Sequence, residues 1–200
     1  MVTKLRAEFL NINTPPHIFT LIVLSGLGAL SLSIFLSSIL EMSVFFNKSY
    51  ALMQLSISLY LITTAFFQII AGPLSDKFGR RIITLFSIMI FIIASLGCFF
   101  STKFEFFIFF RLLQASIAAG FLMSRVIIRD ITSENEAASM IGYVTMGMSI
   151  IPLFAPGLGG LIQMLFGWPS IFLIMSLFGL LLLLLVFRDL GETKIIKKNK

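Results

Sequence analysis

Between residues 18 and 187 the chain reads as six long apolar runs separated by short polar stretches, and that pattern leaves few folds open. A helix rising ~1.5 Å per residue needs ~20 apolar residues to cross the ~30 Å of hydrocarbon in a bilayer. The runs fall at 18–40, 51–71, 82–100, 104–128, 137–166 and 168–187. The fifth is longer than a simple span requires, so part of it is expected to stand outside the lipid. Helices are the expected form: open strands would leave backbone amides unpaired in lipid, and the runs lack the alternation of a transmembrane barrel. The expected fold class is therefore an all-α integral membrane protein with six transmembrane helices. The first run is too long for a signal-peptide core and no small-residue cleavage pattern follows it, so it is expected to be retained.

Composition supports the same solvent. Apolar residues make up 58% of the chain, charged ones 12%, and 23 are phenylalanine, which leaves too little polar surface for a water-soluble domain. The net charge of +6 does not mark a nucleic-acid binder, because the cations are not ranged along a helix face with aromatics between them. A single cysteine, Cys98, excludes a disulfide framework or a thiolate metal cluster within one chain, and its apolar setting reads as packing.

The cations also set an orientation. Of the 15 lysines and arginines, Lys4, Arg6, Lys77, Arg80, Arg81, Arg125, Arg129, Arg188, Lys194, Lys197, Lys198 and Lys200 all fall on one side of a six-span topology. The opposite side has Lys48 and Lys103, while Arg111 lies inside a run. By the positive-inside rule both termini are expected in the cytoplasm of a cell whose inner or plasma membrane holds the bundle. The expected division is a tail at 1–17, the bundle at 18–187 and a basic tail at 188–200.

Four places within this frame invite a functional reading. The stretch 72–81, Gly-Pro-Leu-Ser-Asp-Lys-Phe-Gly-Arg-Arg, has two glycines and a proline to permit a tight reversal, and cations suited to an anionic membrane surface. Arg111 is an expensive charge for a membrane helix and is expected to face a bundle interior or wet cavity, with Gln114 on nearly the same face; the plainer alternative is an arginine that snorkels to the headgroups. Pro152, Ala155, Pro156, Gly157, Gly159 and Gly160 crowd the fifth run, and predict a kink and a close helix approach, for motion or for static packing. Ser33 and Ser37, with Ser31 and Ser38, are candidate cavity-lining residues, although such serines also bond back to their own helix. His17 reads as interfacial, Trp168 as an interface anchor, and Glu134 and Glu136 as a solvated face. No nucleophile elbow, phosphate-cradling loop or metal-ligand spacing is present, so no enzyme and no cofactor are expected.

These residues together resemble the amino-terminal half of a major facilitator superfamily transporter, more narrowly the bicyclomycin/chloramphenicol resistance (Bcr/CflA) branch of drug:proton antiporters. The likeness is carried by Gly72, Asp76, Gly79, Arg80 and Arg81 in the loop between helices two and three. In helix four it rests on Arg111 and Gln114, with Ala115 for the usual glycine, and in helix five on Pro156, Gly159 and Gly160, with Ala155 for a first glycine. Arg129-Asp130 and Glu192-Thr193 also read like this branch. The resemblance implies one half of a fold made of 3+3 inverted repeats, and export of amphipathic small molecules with a proton gradient as energy source. It assigns proton coupling to Arg111 and implies that the carboxylate at Asp76 docks on the other half; without that half it is expected to meet water, Arg80 or a second chain.

Two departures accompany the likeness. At Ser33-Ile34-Phe35-Leu36-Ser37 the branch typically carries an acid in helix one, absent here. The branch also folds as two six-helix halves, and these 200 residues match the first. Three readings are compatible with the residues: a half that works with a second six-helix chain or is a fragment, a homodimeric transporter, and a non-transporting membrane scaffold.

Overall fold

In a computed structural model, described for residue 7 and residues 9–193, the chain is helical, and no strand occurs among the described residues. The helices are α1 (Ile18–Ser33), α2 (Ile39–Phe45), α3 (Tyr50–Phe78), α4 (Arg80–Phe100), α5 (Phe104–Gln114), α6 (Ala118–Ile131), α7 (Glu134–Phe166) and α8 (Pro169–Asp189). One 3₁₀ segment, Ile34–Ser38, joins α1 to α2, and another, Ala115–Ile117, joins α5 to α6. Six spans result that are long and apolar enough to cross a membrane: Ile18–Phe45, Tyr50–Phe78, Arg80–Phe100, Phe104–Ile131, Glu134–Phe166 and Pro169–Asp189. Lys4, Arg6, Lys194, Lys197, Lys198 and Lys200 lie outside the described residues.

The stretch 72–81 does not turn where its composition suggested. Gly72 and Pro73 lie within α3, and the reversal comes at Gly79, whose φ of 102° favours glycine. Two residues beyond the proline, Ser75 Oγ bonds back to the Gly72 carbonyl of its own helix at 2.8 Å. The helix α7 likewise stays one element through Pro152 and Pro156, and ends at Gly167. At the other end of α3, Ser49 Oγ accepts from the Leu52 N–H at 3.2 Å and starts the helix.

Small residues set how closely the spans approach. A Cβ on Gly159 would stand 1.9 Å from the Ile34 carbonyl oxygen, so α7 and the first 3₁₀ segment meet backbone to backbone. Gly26 faces Ile151 and Gly147 faces Ile22 along the same seam, while α4 packs on α8 where Gly179 meets Phe91 and Ile92. The first and fourth spans are the most enclosed, and α3 and α7 the least.

Topology gathers Arg80, Arg129 and Arg188 at one end of the bundle, the basic end, and Lys48 and Lys103 at the other, the distal end. Trp168, expected at an interface, is instead buried at the distal end among Phe45, Phe46, Phe107 and Phe172, with ring centroids 5.2 to 6.2 Å away. Its flat ring completes an aromatic cluster that closes the bundle, a larger gain than partial exposure offers. At the basic end the buried Asp189 carboxylate accepts from the Leu10 N–H at 2.8 Å and the His17 N–H at 2.9 Å, which straps the segment before α1 onto the end of α8.

Candidate functional site

Arg111 does not snorkel. Its side chain is buried on α5 in the middle of the bundle, 1% exposed, and it is the largest of the fully buried side chains. Nη2 donates to the Ser31 carbonyl at 2.8 Å, and Nη1 donates to Ser31 Oγ at 3.3 Å and to Gln114 Oε1. Gln114 Nε2 passes the chain on to Ser95 Oγ at 2.8 Å on α4, and Tyr60 of α3 donates its hydroxyl to Ser31 Oγ at 3.3 Å. The guanidinium carbon lies 4.0 Å from the Phe35 ring centroid and 4.4 Å from that of Tyr60. Cation–π contact and polarised oxygens thus hold the charge, and no carboxylate pairs with it among the described residues. Its Nε has no partner there. Both 3₁₀ segments begin within three residues of this cluster, one after Ser31 and the other directly after Gln114. Such breaks inside a helix often mark hinges.

A recess of about 220 Å³ opens beside the cluster. Ser25, Gly28, Ala29 and Leu32 of α1 form one wall, Tyr60, Thr64 and Gln68 of α3 another, and Phe121 and Met148 lie among the rest of its lining. Tyr60 therefore lines the recess and covers the guanidinium at once, so anything seated in the recess lies one aromatic ring from Arg111. Ser33 and Ser37 take no part in this lining: Ser33 is buried at the end of α1, and Ser37 is exposed and bonds back to the Ile34 carbonyl at 3.3 Å. The serines that matter are Ser25 and Ser31, and no local pattern sets them apart from their neighbours.

The basic end holds a second constellation. Arg80 reaches Asp76 at 2.7 Å, Asp130 at 3.1 Å and the Ser75 hydroxyl, which ties α3, α4 and α6 together. Asp76 thus meets Arg80, one of the three outcomes anticipated. Glu192 accepts the backbone N–H of Arg80 at 2.9 Å and of Arg81 at 3.3 Å, so a carboxylate from beyond α8 caps the start of α4, where a helix dipole favours an anion. Gly79 is required here twice, since a Cβ would also lie 2.2 Å from a Glu192 carboxylate oxygen. Arg81 covers the Phe187 ring and donates to its carbonyl at 3.0 Å. In α7, Gly159 makes the close approach to Ile34, Gly160 lies 3.8 Å from Ser37 Cβ, and Pro156 is inside the helix. Gly72 meets nothing within 4 Å, so no close contact there requires a glycine.

Known proteins are similar to this chain in sequence and in fold. The Major Facilitator Superfamily profile matches residues 18–200. An uncharacterized MFS-type transporter of Bacillus subtilis, YdgK, is 34% identical over 184 residues, which cover 90% of this chain and 46% of that protein. The multidrug resistance protein MdtL of Shewanella oneidensis is 35% identical over 74% of the chain and 37% of its own length. A bicyclomycin resistance protein homolog of Haemophilus influenzae is 31% identical over 88% and 44%. The chain spans about half the length of the curated relatives it matches. In three dimensions it is similar to the proton:xylose symporter XylE bound to 6-bromo-6-deoxy-D-glucose, with a TM-score of 0.74 at 16% identity over 90% of this chain and 46% of that one, a likeness of fold. The six span-length helices and the matched profile agree: this chain is a multi-pass membrane protein that belongs to the Major Facilitator Superfamily.

Proposed function

We propose that the chain forms one wall of a small-molecule export pathway, with its basic end in the cytoplasm and its helices in the inner or plasma membrane. A second six-helix unit, from another chain or a second copy of this one, supplies the facing wall, and transport is the rocking of the two. The observation that carries this reading is the recess lined by Tyr60, whose ring also covers the buried Arg111 guanidinium. A buried charge without a carboxylate partner is costly, and it is tolerated where a moving element or a transported species uses it. The relatives named for multidrug and bicyclomycin resistance support an amphipathic drug-like substrate. A proton gradient is the proposed energy source; with Ser33 where the branch has an acid, Arg111 is the proposed coupling residue. The test is efflux of a fluorescent amphipathic dye from cells that make the chain with its partner unit. Arg111→Ala should abolish energised efflux at an unchanged membrane level of the protein, and unchanged efflux would overturn the reading.

A further inference from the structure

The recess beside Arg111 offers a ligand one free amide. Its lining takes hydroxyl and amide groups from Ser25, Tyr60, Thr64 and Gln68. The three hydroxyls are already engaged. Ser25 Oγ bonds Ser124 Oγ at 2.7 Å, the Tyr60 hydroxyl donates to Ser31 Oγ at 3.3 Å, and Thr64 Oγ1 donates to the Leu61 carbonyl of its own helix at 2.6 Å. The half-buried Gln68 side chain makes no hydrogen bond among the described residues, so its carbonyl and its amide protons are both open to a partner. It stands ~12 Å from Tyr60 along α3, toward the basic end.

No lysine, arginine, aspartate or glutamate lines the recess. Two arginines instead lie outside the lining, each against one of its aromatic rings. The Arg111 guanidinium carbon is 4.4 Å from the Tyr60 ring centroid, and that of Arg125 is 4.2 Å from the Phe121 ring centroid. Neither arginine pairs with a carboxylate among the described residues. Their field disfavours a further positive charge in the recess, while an anion there would lose water and still be kept from both guanidinium groups by the rings. Gly28, Ala29 and Leu32 on the facing wall are small or apolar and suit a flat apolar body. The complement of such a site is an uncharged molecule whose one polar group both donates and accepts. A carboxamide does so, and pairs with a glutamine amide through two N–H to carbonyl bonds.

We infer that Gln68 binds the amide group of an uncharged ligand whose apolar body sits in the recess toward Tyr60. The inference rests on the exporter reading and adds the charge and hydrogen-bonding class of the substrate. Four probes of one shape test it: 2-naphthamide, the cation 2-naphthamidinium, the anion 2-naphthoate and the hydrocarbon 2-isopropylnaphthalene. Each is titrated against the purified protein with any partner chain that accompanies it. Wild type should bind naphthamide about fivefold or more tighter than the other three, as a pair of hydrogen bonds allows. Gln68→Leu should lower naphthamide to the level of the hydrocarbon and leave the hydrocarbon unchanged, which also shows that the variant is folded. Ser25→Ala, which alters a lining hydroxyl already held by Ser124, should change none of the four. Tighter binding of the cation or the anion than of naphthamide by wild type overturns the inference. So does an undiminished preference for naphthamide in Gln68→Leu, an equal loss of every probe in that variant, or no binding of any probe by wild type. The exporter reading is judged apart, on energised dye efflux and its loss in Arg111→Ala, whatever the probes do.

Discussion

Gly159 of α7 faces the Ile34 carbonyl of the first span so closely that a Cβ would lie 1.9 Å from that oxygen and 2.9 Å from its carbon. The contact is backbone against backbone, so no rotamer change relieves a clash. Gly159→Ala should therefore destabilise the bundle by about 2–3 kcal/mol, as overpacking of a tight contact does. The neighbouring Gly160, with 3.8 Å of room to Ser37 Cβ, should accept alanine at a cost under about 0.5 kcal/mol. Thermal unfolding of the two variants in detergent separates the pair.

Arg111→Lys should lose most transport even though charge is kept. A guanidinium reaches the Ser31 carbonyl, the Ser31 hydroxyl and Gln114 from one plane while stacking between Phe35 and Tyr60; an ammonium has neither that plane nor that reach. A fall in efflux of about tenfold or more is expected, at unchanged membrane abundance. Full activity in the lysine variant would show that charge alone suffices.

Tyr60 plays two parts that can be separated. Tyr60→Phe removes a 3.3 Å hydrogen bond to Ser31 and keeps the ring, so it should cost no more than about 1 kcal/mol and leave dye binding intact. Tyr60→Ala removes the partition between recess and guanidinium, and should weaken dye binding severalfold. Fluorescence titration of both variants checks the difference.

Glu192→Ala should uncap α4. The lost bonds to the Arg80 and Arg81 amides predict a destabilisation of about 1 kcal/mol, read as a lower melting temperature. Asp189→Ala should act elsewhere: it frees the Leu10 and His17 amides, so protease cleavage before α1 should quicken while the bundle itself resists.

The six spans were legible because hydropathy over ~20 residues needs no knowledge of neighbours. The Arg111–Gln114 pair was legible for the same local reason, as residues three apart share a helix face. What escaped was long-range. Nothing in the first span marks Ser31 rather than Ser33 or Ser37 as the partner of an arginine 80 residues away. The 3₁₀ segments and the burial of Trp168 both follow from contacts between distant spans. The turn at Gly79 was misplaced because Gly72 and Pro73 are turn formers in water but are absorbed into a long helix here. A positional cue for Asp130 and Glu192 did exist in their branch-like motifs, but only the fold shows that both act on the amino end of α4.

The strap held by Asp189 has a practical corollary for anyone who wants to watch this protein move. Gly191 lies so near Ile12 that a Cβ on it would stand 2.3 Å from the Ile12 carbonyl oxygen, so the first and last described segments form one mechanical body. Spectroscopic probes placed on those two segments should hold a fixed separation for as long as the Asp189 bonds to the Leu10 and His17 amides stay closed. Such a pair makes a built-in ruler, against which any displacement of a third probe on α3 or α7 can be measured.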